Sequence, residues 1–422
     1  MFISDFVVEA SDRALSRGFL DGMQNILEAL GPSSPLVQSA KLVALANVAR
    51  KQGHKELLEY AEVCYGELLR TYQQTLLSSG ESDVSIETLY TAVLLGLYEI
   101  IFSSDAHPAN HQAHVRGVCA LLQTGVSPID LKTGVRIFQM GNSLLLKAPL
   151  RNETQGILCA PISHGSLTAL DQILVKFGQL YYHAQDILAQ AFPNLEELSL
   201  IAAEAAEMDL AFSHWASSQM DIWKPVPLGS LSPETAVQSS YDFCHSGQVD
   251  DYYDHYVAGV WNTYRKSHIM LLDMIMRVAL IRSDHTPISD LALRASALVA
   301  AIVASIPYHL TPDVGGYVQR ASAGKQPWDI KTKPVSGLLL LHPLYATASC
   351  HIVSAASRAY LVKCLDWIGK NMGIGQASLL ARSLRADMGG NDPQMVLSPS
   401  LPFQEMSEGH VIIWAGMLLQ PA

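Results

Sequence analysis

Tyr308 and His309 follow Pro307 at the end of one apolar run, and His342 and Tyr345 flank Pro343 in another. Phenol and imidazole groups carry protons in active sites and grip polar ligands in clefts. A proline inside a helix removes a donor and frees a backbone carbonyl. These four residues are therefore the first candidates for proton handling. The competing reading is that they pack with satisfied hydroxyls and rings. Trp261, Tyr264, Arg265 and His268 lie three and four residues apart, so a helix places them on one face. Arg265 suits an acidic ligand group, or a core partner such as Glu99 or Asp273. The candidate ligand contacts are Trp261, Arg265, Tyr308 and His342.

Two further clusters read more readily as structure. His107, His111 and His114 have a spacing that brings two imidazoles within reach of one metal. No glutamate adjoins a histidine as in zinc proteases, and Pro108 puts His107 at a helix boundary. Capping and packing are the expected roles, with no metal. Asp250, Asp251, Asp254 and His255 open a long helical stretch, where acids complement the helix dipole. An Asp–His acid–base pair or a hard-metal site is the sharper alternative there. No C-x₂-C occurs among the six cysteines, so neither a zinc cluster nor a redox pair is expected. The chain has no G-x-S-x-G elbow, H-E-x-x-H, Walker A loop or strand-borne G-x-G-x-x-G, and no cofactor is expected.

The elements that position these residues follow from composition and period. The 422 residues are 49% hydrophobic and only 16% charged, which supplies a large core and argues against disorder. Net charge is -11 and no run of Lys or Arg appears, so direct nucleic-acid binding is not expected. The first ten residues lack the basic region of a secretory signal. The longest nearly apolar stretch, 295–306, is too short to span a bilayer, and no membrane association is expected. Helical periodicity dominates: helices are expected from Pro35, over 55–77, from an N-cap at Ser85 to Phe102, and from Pro108 to about 125. More follow over 170–190, 195–220, 249–282, 288–306 with a stop at Pro307, 337–370 and 374–385, then a short last helix after a break at 398–402. Residues 223–232 and 311–334 read as a Pro-rich break and an exposed loop. The expected fold class is all-α, a single large multi-helix domain of packed antiparallel helices over residues 1–422.

Three segments carry a family resemblance: Trp261-Asn-Thr-Tyr-Arg265, Ser305-Ile-Pro-Tyr-His-Leu310 and His342-Pro-Leu-Tyr345. Ser85-x-Glu87-Thr88, Leu94-Leu95-x-x-Tyr98-Glu99, His114-x-x-Gly117, Arg358, Ile368-Gly369 and Gly373-Ile-Gly-Gln-Ala377 join them in order. Together, over roughly 15–420, they resemble the C-terminal regulatory domain of fungal zinc-cluster transcription factors. Two departures stand out: His342 and His111 occupy positions where that family often has Trp. The family's zinc-binding, DNA-reading module is not seen in this sequence.

The resemblance implies a regulator in the nucleus or cytoplasm that acts through a protein partner, a DNA-binding factor or a second copy. It also implies control of secondary-metabolite genes and sensing of a small apolar metabolite between helices. The alternative expectation is a cofactor-free cyclase or isomerase recruited from the same scaffold, with Tyr308, His309, His342 and Tyr345 moving protons.

Overall fold

The computed structural model describes residues 1–13, 15–78, 85–103, 110–123, 170–239, 242–283, 287–325, 332–388 and 409–418. The expected helix start at Pro108 with His107 before it, the helix end near 125 and the break over 398–402 fall outside them.

The first half is helical, as its period implies. Short α1 (Phe2–Phe6) and α2 (Met23–Ala29) precede α3 (Pro35–Gln52), α4 (Lys55–Ser78), α5 (Ile86–Phe102) and α6 (His111–Gln123). Local signals account for the starts. Ser34 accepts from the Val37 amide with Pro35 in the first turn, and Ser85 accepts from the Thr88 amide at 3.1 Å. Gly53 ends α3 in the left-handed region, φ 68°, which a glycine enters without a Cβ clash. Leu36, Ala40, Val43 and Ala44 are buried, so the apolar face of α3 meets α4 and α5.

The second half holds α7 (Leu170–Leu188), α8 (Leu195–Ser217), β1 (Val226–Leu231), α9 (Pro233–Gln238), β2 (Gly247–Asp251), α10 (His255–Arg282), α11 (Ile288–Leu310), α12 (Val314–Ser322), α13 (Pro334–Ser349), α14 (Ala355–Asn371), α15 (Gly375–Met388) and α16 (Gly409–Leu418). The all-α expectation is met: among the described residues the only sheet is one antiparallel pair, β1 and β2, with Val226 opposite Asp251 and Leu231 opposite Gly247. One apolar core runs through both halves.

Helix α10 is its axis. Every residue from Tyr256 to Met274 is buried, with α7 and α8 packed on one flank and α11 and α13 on the others. A helix enclosed on all sides shows no polar stripe, which explains why its charged residues are the informative ones.

Several boundaries differ from the expectation for identifiable reasons. Helix α10 begins at His255, not 249: Asp254 caps it by accepting from the Val257 amide at 2.9 Å, while Asp250 and Asp251 belong to β2. Helix α11 passes through Pro307 for one further turn, because Ile306, His309 and Leu310 are buried and tertiary packing outweighs the lost hydrogen bond. The Thr311 amide and hydroxyl both donate to the Pro307 carbonyl, at 3.0 and 2.7 Å. Pro343 likewise lies inside α13. The stretch taken as 337–370 is two helices, broken at Cys350 and restarted by the cap at Ser354. The loop expected over 311–334 contains α12, anchored by buried Tyr317 and Ala321.

Extended through its proline, α11 is long and apolar enough to cross a membrane. Here one face, Leu291, Ala295, Val299, Ile302, Ile306 and Leu310, is buried at helical spacing, and the helix packs on α10 and α13.

Candidate functional site

The sequence candidates separate into two polar clusters along the seam where α10 meets α11 and α13. The first is centred on Asn262. Its amide nitrogen donates to Ser305 Oγ at 2.9 Å and lies 3.4 Å from His309 Nε2, while its oxygen accepts from Arg265 Nη1 at 2.9 Å. The Ser305 hydroxyl donates to the Ile302 carbonyl at 2.7 Å and lies 3.1 Å from Asn262 Oδ1. Arg265 also donates to the Tyr252 hydroxyl at 2.7 Å, and its guanidinium lies over the Tyr252 and Trp261 rings. Arg265 therefore pairs with neither Glu99 nor Asp273, the partners expected for it. Asp273 instead accepts from the Ile352 amide at 2.8 Å.

Aromatic rings close this cluster. His255 stacks on His309 with centroids 5.8 Å apart, Tyr308 meets His255 edge-on at 5.0 Å, and His255 Nε2 lies 3.0 Å from Ser336 Oγ. Trp261 donates its indole N–H to the Trp223 carbonyl at 2.7 Å. Burial pushes His309 well below the usual imidazole range, helped by His255. His255 falls to about 4, again mainly by burial, with the Lys333 charge adding to it. Tyr308 is pushed up by burial and by the Asp254 and Asp251 charges. Both histidines are neutral near pH 7, and the Tyr308 phenol keeps its proton. The arrangement holds hydrogen bonds in a defined pattern; it is not tuned for proton exchange.

His342 and Tyr345 lie elsewhere. His342 sits on the next stretch of the same seam, edge-on to His410 of α16 with centroids 4.4 Å apart. Lys266 Nζ lies 3.4 Å from His410 Nε2 and 3.5 Å from its Nδ1, and Trp414 flanks the His410 ring at 5.2 Å. Lys266, His342 and His410 are all more than nine-tenths buried. Burial pulls Lys266 down to about 7. It also drives His410 far below its usual range, with Lys266 and His342 adding to it. Lys266 lies eleven residues beyond His255 on α10, about 16 Å of helix rise, and one turn beyond Asn262. Tyr345, one turn beyond His342, is buried in α13.

Two other expected sets resolve into structural pairs. His268 shares Asp209 with Arg294: His268 Nε2 lies 2.6 Å from the carboxylate, and Arg294 donates to the same oxygen. Burial opposes ionisation of Asp209, yet these two donors hold it down to about 2. His114 Nε2 lies 2.7 Å from the Tyr65 hydroxyl and falls to about 4, mainly by burial. No group of three metal-ligating side chains occurs among the described residues.

Sequence reading missed Lys266, His410 and Asp209. For Lys266 a signal was present: no acid lies three or four residues to either side of it. His410 and Asp209 carry none, because their partners are 144 and 59 residues away.

A curated relative, the transcription factor dbaG of Emericella nidulans, is 35% identical to this chain over 427 residues, covering 99% of the chain and 95% of that protein. No family model matches the chain. No solved structure matches it either.

Proposed function

We propose a transcriptional regulator that works through a partner, from the premise that this chain belongs to the family of the fungal transcription factor dbaG. The observation that carries the reading is the extent of that likeness, which runs through nearly the whole of both chains. A net charge of -11 with no run of Lys or Arg favours recruitment by a DNA-binding factor over direct contact with DNA. The acting compartment is the nucleus, and the controlled genes are a secondary-metabolite cluster. The polar seam between α10, α11 and α13 supports sensing of a small molecule, since buried polar groups held among apolar helices are what such sites are made from.

The test is a deletion strain profiled for transcripts and metabolites together, with chromatin association of the tagged protein measured with and without candidate DNA-binding partners. Loss of one set of clustered transcripts, and promoter association that depends on a partner, is the expected result. Normal transcripts with an accumulated intermediate would overturn the regulator in favour of an enzyme.

A further inference from the structure

Lys266 presents a problem of chemistry. It comes from the stretch of α10 in which every residue is buried, and its amine touches the ring of His410. No carboxylate pairs with it among the described residues. Buried lysines are rare unless paired, and an unpaired one disfavours the folded state. His342 from α13 and His410 from α16 converge on the same point, so three helices each contribute a base. The titratable groups on the elements that α16 meets have other partners. Glu99 of α5 interacts with Tyr65, and His114 of α6 bonds to the same tyrosine. Asp21, beside the N-terminal segment that α16 also meets, is paired with Arg13.

We propose that Lys266, His342 and His410 form the seat of a small aromatic carboxylic acid, a metabolite that the protein senses. The proposal rests on the small-molecule part of the function above and names its ligand class. The proton balance is simple. The acid's O–H proton passes to Lys266 Nζ, which becomes an ammonium, and the carboxylate left behind is held against it with His410 and His342 as further donors. The charges arrive and leave as a pair, so the core gains no net charge. Trp414 supplies an aromatic surface next to His410. Because the seat includes a residue of α16, occupancy pins that helix to α10 and α13. A Cβ at Gly96 would lie 2.7 Å from Ile412, and one at Gly416 would lie 2.5 Å from the Phe19 ring, so at these two glycines α16 approaches α5 and the N-terminal segment closely.

The test is calorimetric titration of the full chain with benzoate, and with benzamide as the neutral isostere, at pH 8 and 9 in buffers of different ionisation enthalpy. Benzoate is expected to bind with uptake of about one proton and about tenfold more weakly at pH 9 than at pH 8, because each ligand must bring a proton with it. Benzamide is expected to bind at least tenfold more weakly. Lys266→Met should abolish benzoate binding while keeping the helical circular dichroism of the parent, and His410→Gln should weaken it. No benzoate binding by the parent, equal binding of benzoate and benzamide, or unchanged binding by Lys266→Met would each overturn the proposal. The regulator reading fails on transcripts in the deletion strain and this one on the purified chain, so either can fall alone.

Discussion

Replacing Lys266 with methionine should make the protein more stable, by an amount that depends on pH. Burial takes the amine from its ordinary 10.5 to about 7. Between those values the unfolded chain holds a proton that the folded chain has released, so stability rises with pH across that window. The penalty for carrying a neutral lysine is on the order of 4 kcal/mol at pH 7 and about 2 kcal/mol at pH 9. Methionine matches the lysine stem in length and bends to fill irregular space, so its own packing cost is small and independent of pH. Urea unfolding followed by circular dichroism at both pH values reads the difference. Lys266→Met is expected to exceed the parent by about 4 kcal/mol at pH 7 and by about 2 kcal/mol at pH 9. A gap that is the same at both pH values would show that the amine is solvated or paired in solution and would refute the reasoning. So would a variant less stable than the parent at pH 7.

Other outcomes follow from the same geometry. Arg265→Ala removes one buried donor from the Tyr252 hydroxyl and one from Asn262 Oδ1 and should cost about 3 kcal/mol, read as a lowered thermal midpoint. Asp209→Asn should cost about 2 kcal/mol at pH 7. Asp209 is depressed to about 2, so its contribution is complete above the unfolded value of 3.8 and is lost as pH falls towards 2; unfolding of parent and variant should converge there. Gly416→Ala drives a methyl into the Phe19 ring and should destabilise by about 1–3 kcal/mol, with the near-ultraviolet signal of Trp414 changed. Asp254→Ala removes the cap of α10 and should cost about 1 kcal/mol in urea.

Much of the architecture was legible in the residue order. Ser34 with Pro35, Ser85 with Thr88, and the spacing of Leu36, Ala40, Val43 and Ala44 encode their helices locally, because a cap and a stripe involve residues within one turn of each other. The face shared by Trp261, Tyr264, Arg265 and His268 is local in the same way. Its partners are not. That Arg265 meets Tyr252 and Asn262 rather than Glu99 or Asp273, and that His268 shares Asp209 with Arg294, depends on how α8, α10 and α11 are brought together.

Pro307 and Pro343 show the limit from the other side. Read locally a proline ends a helix, but burial of Leu310 and of α13 from Pro334 to Ala348 outweighs one missing hydrogen bond. The same competition sent Tyr308 and His309 to one cluster and His342 to another, although all three follow the same pattern of polar aromatics beside a proline. By itself the sequence determined that the chain is helical, acidic and rich enough in apolar residues to enclose a helix completely. Only the tertiary structure decided which polar groups that enclosure traps together, because buried hydrogen bonds join residues as far apart as Lys266 and His410, 144 positions, or Asn47 and Gly373, 326 positions, and no period in the chain records them.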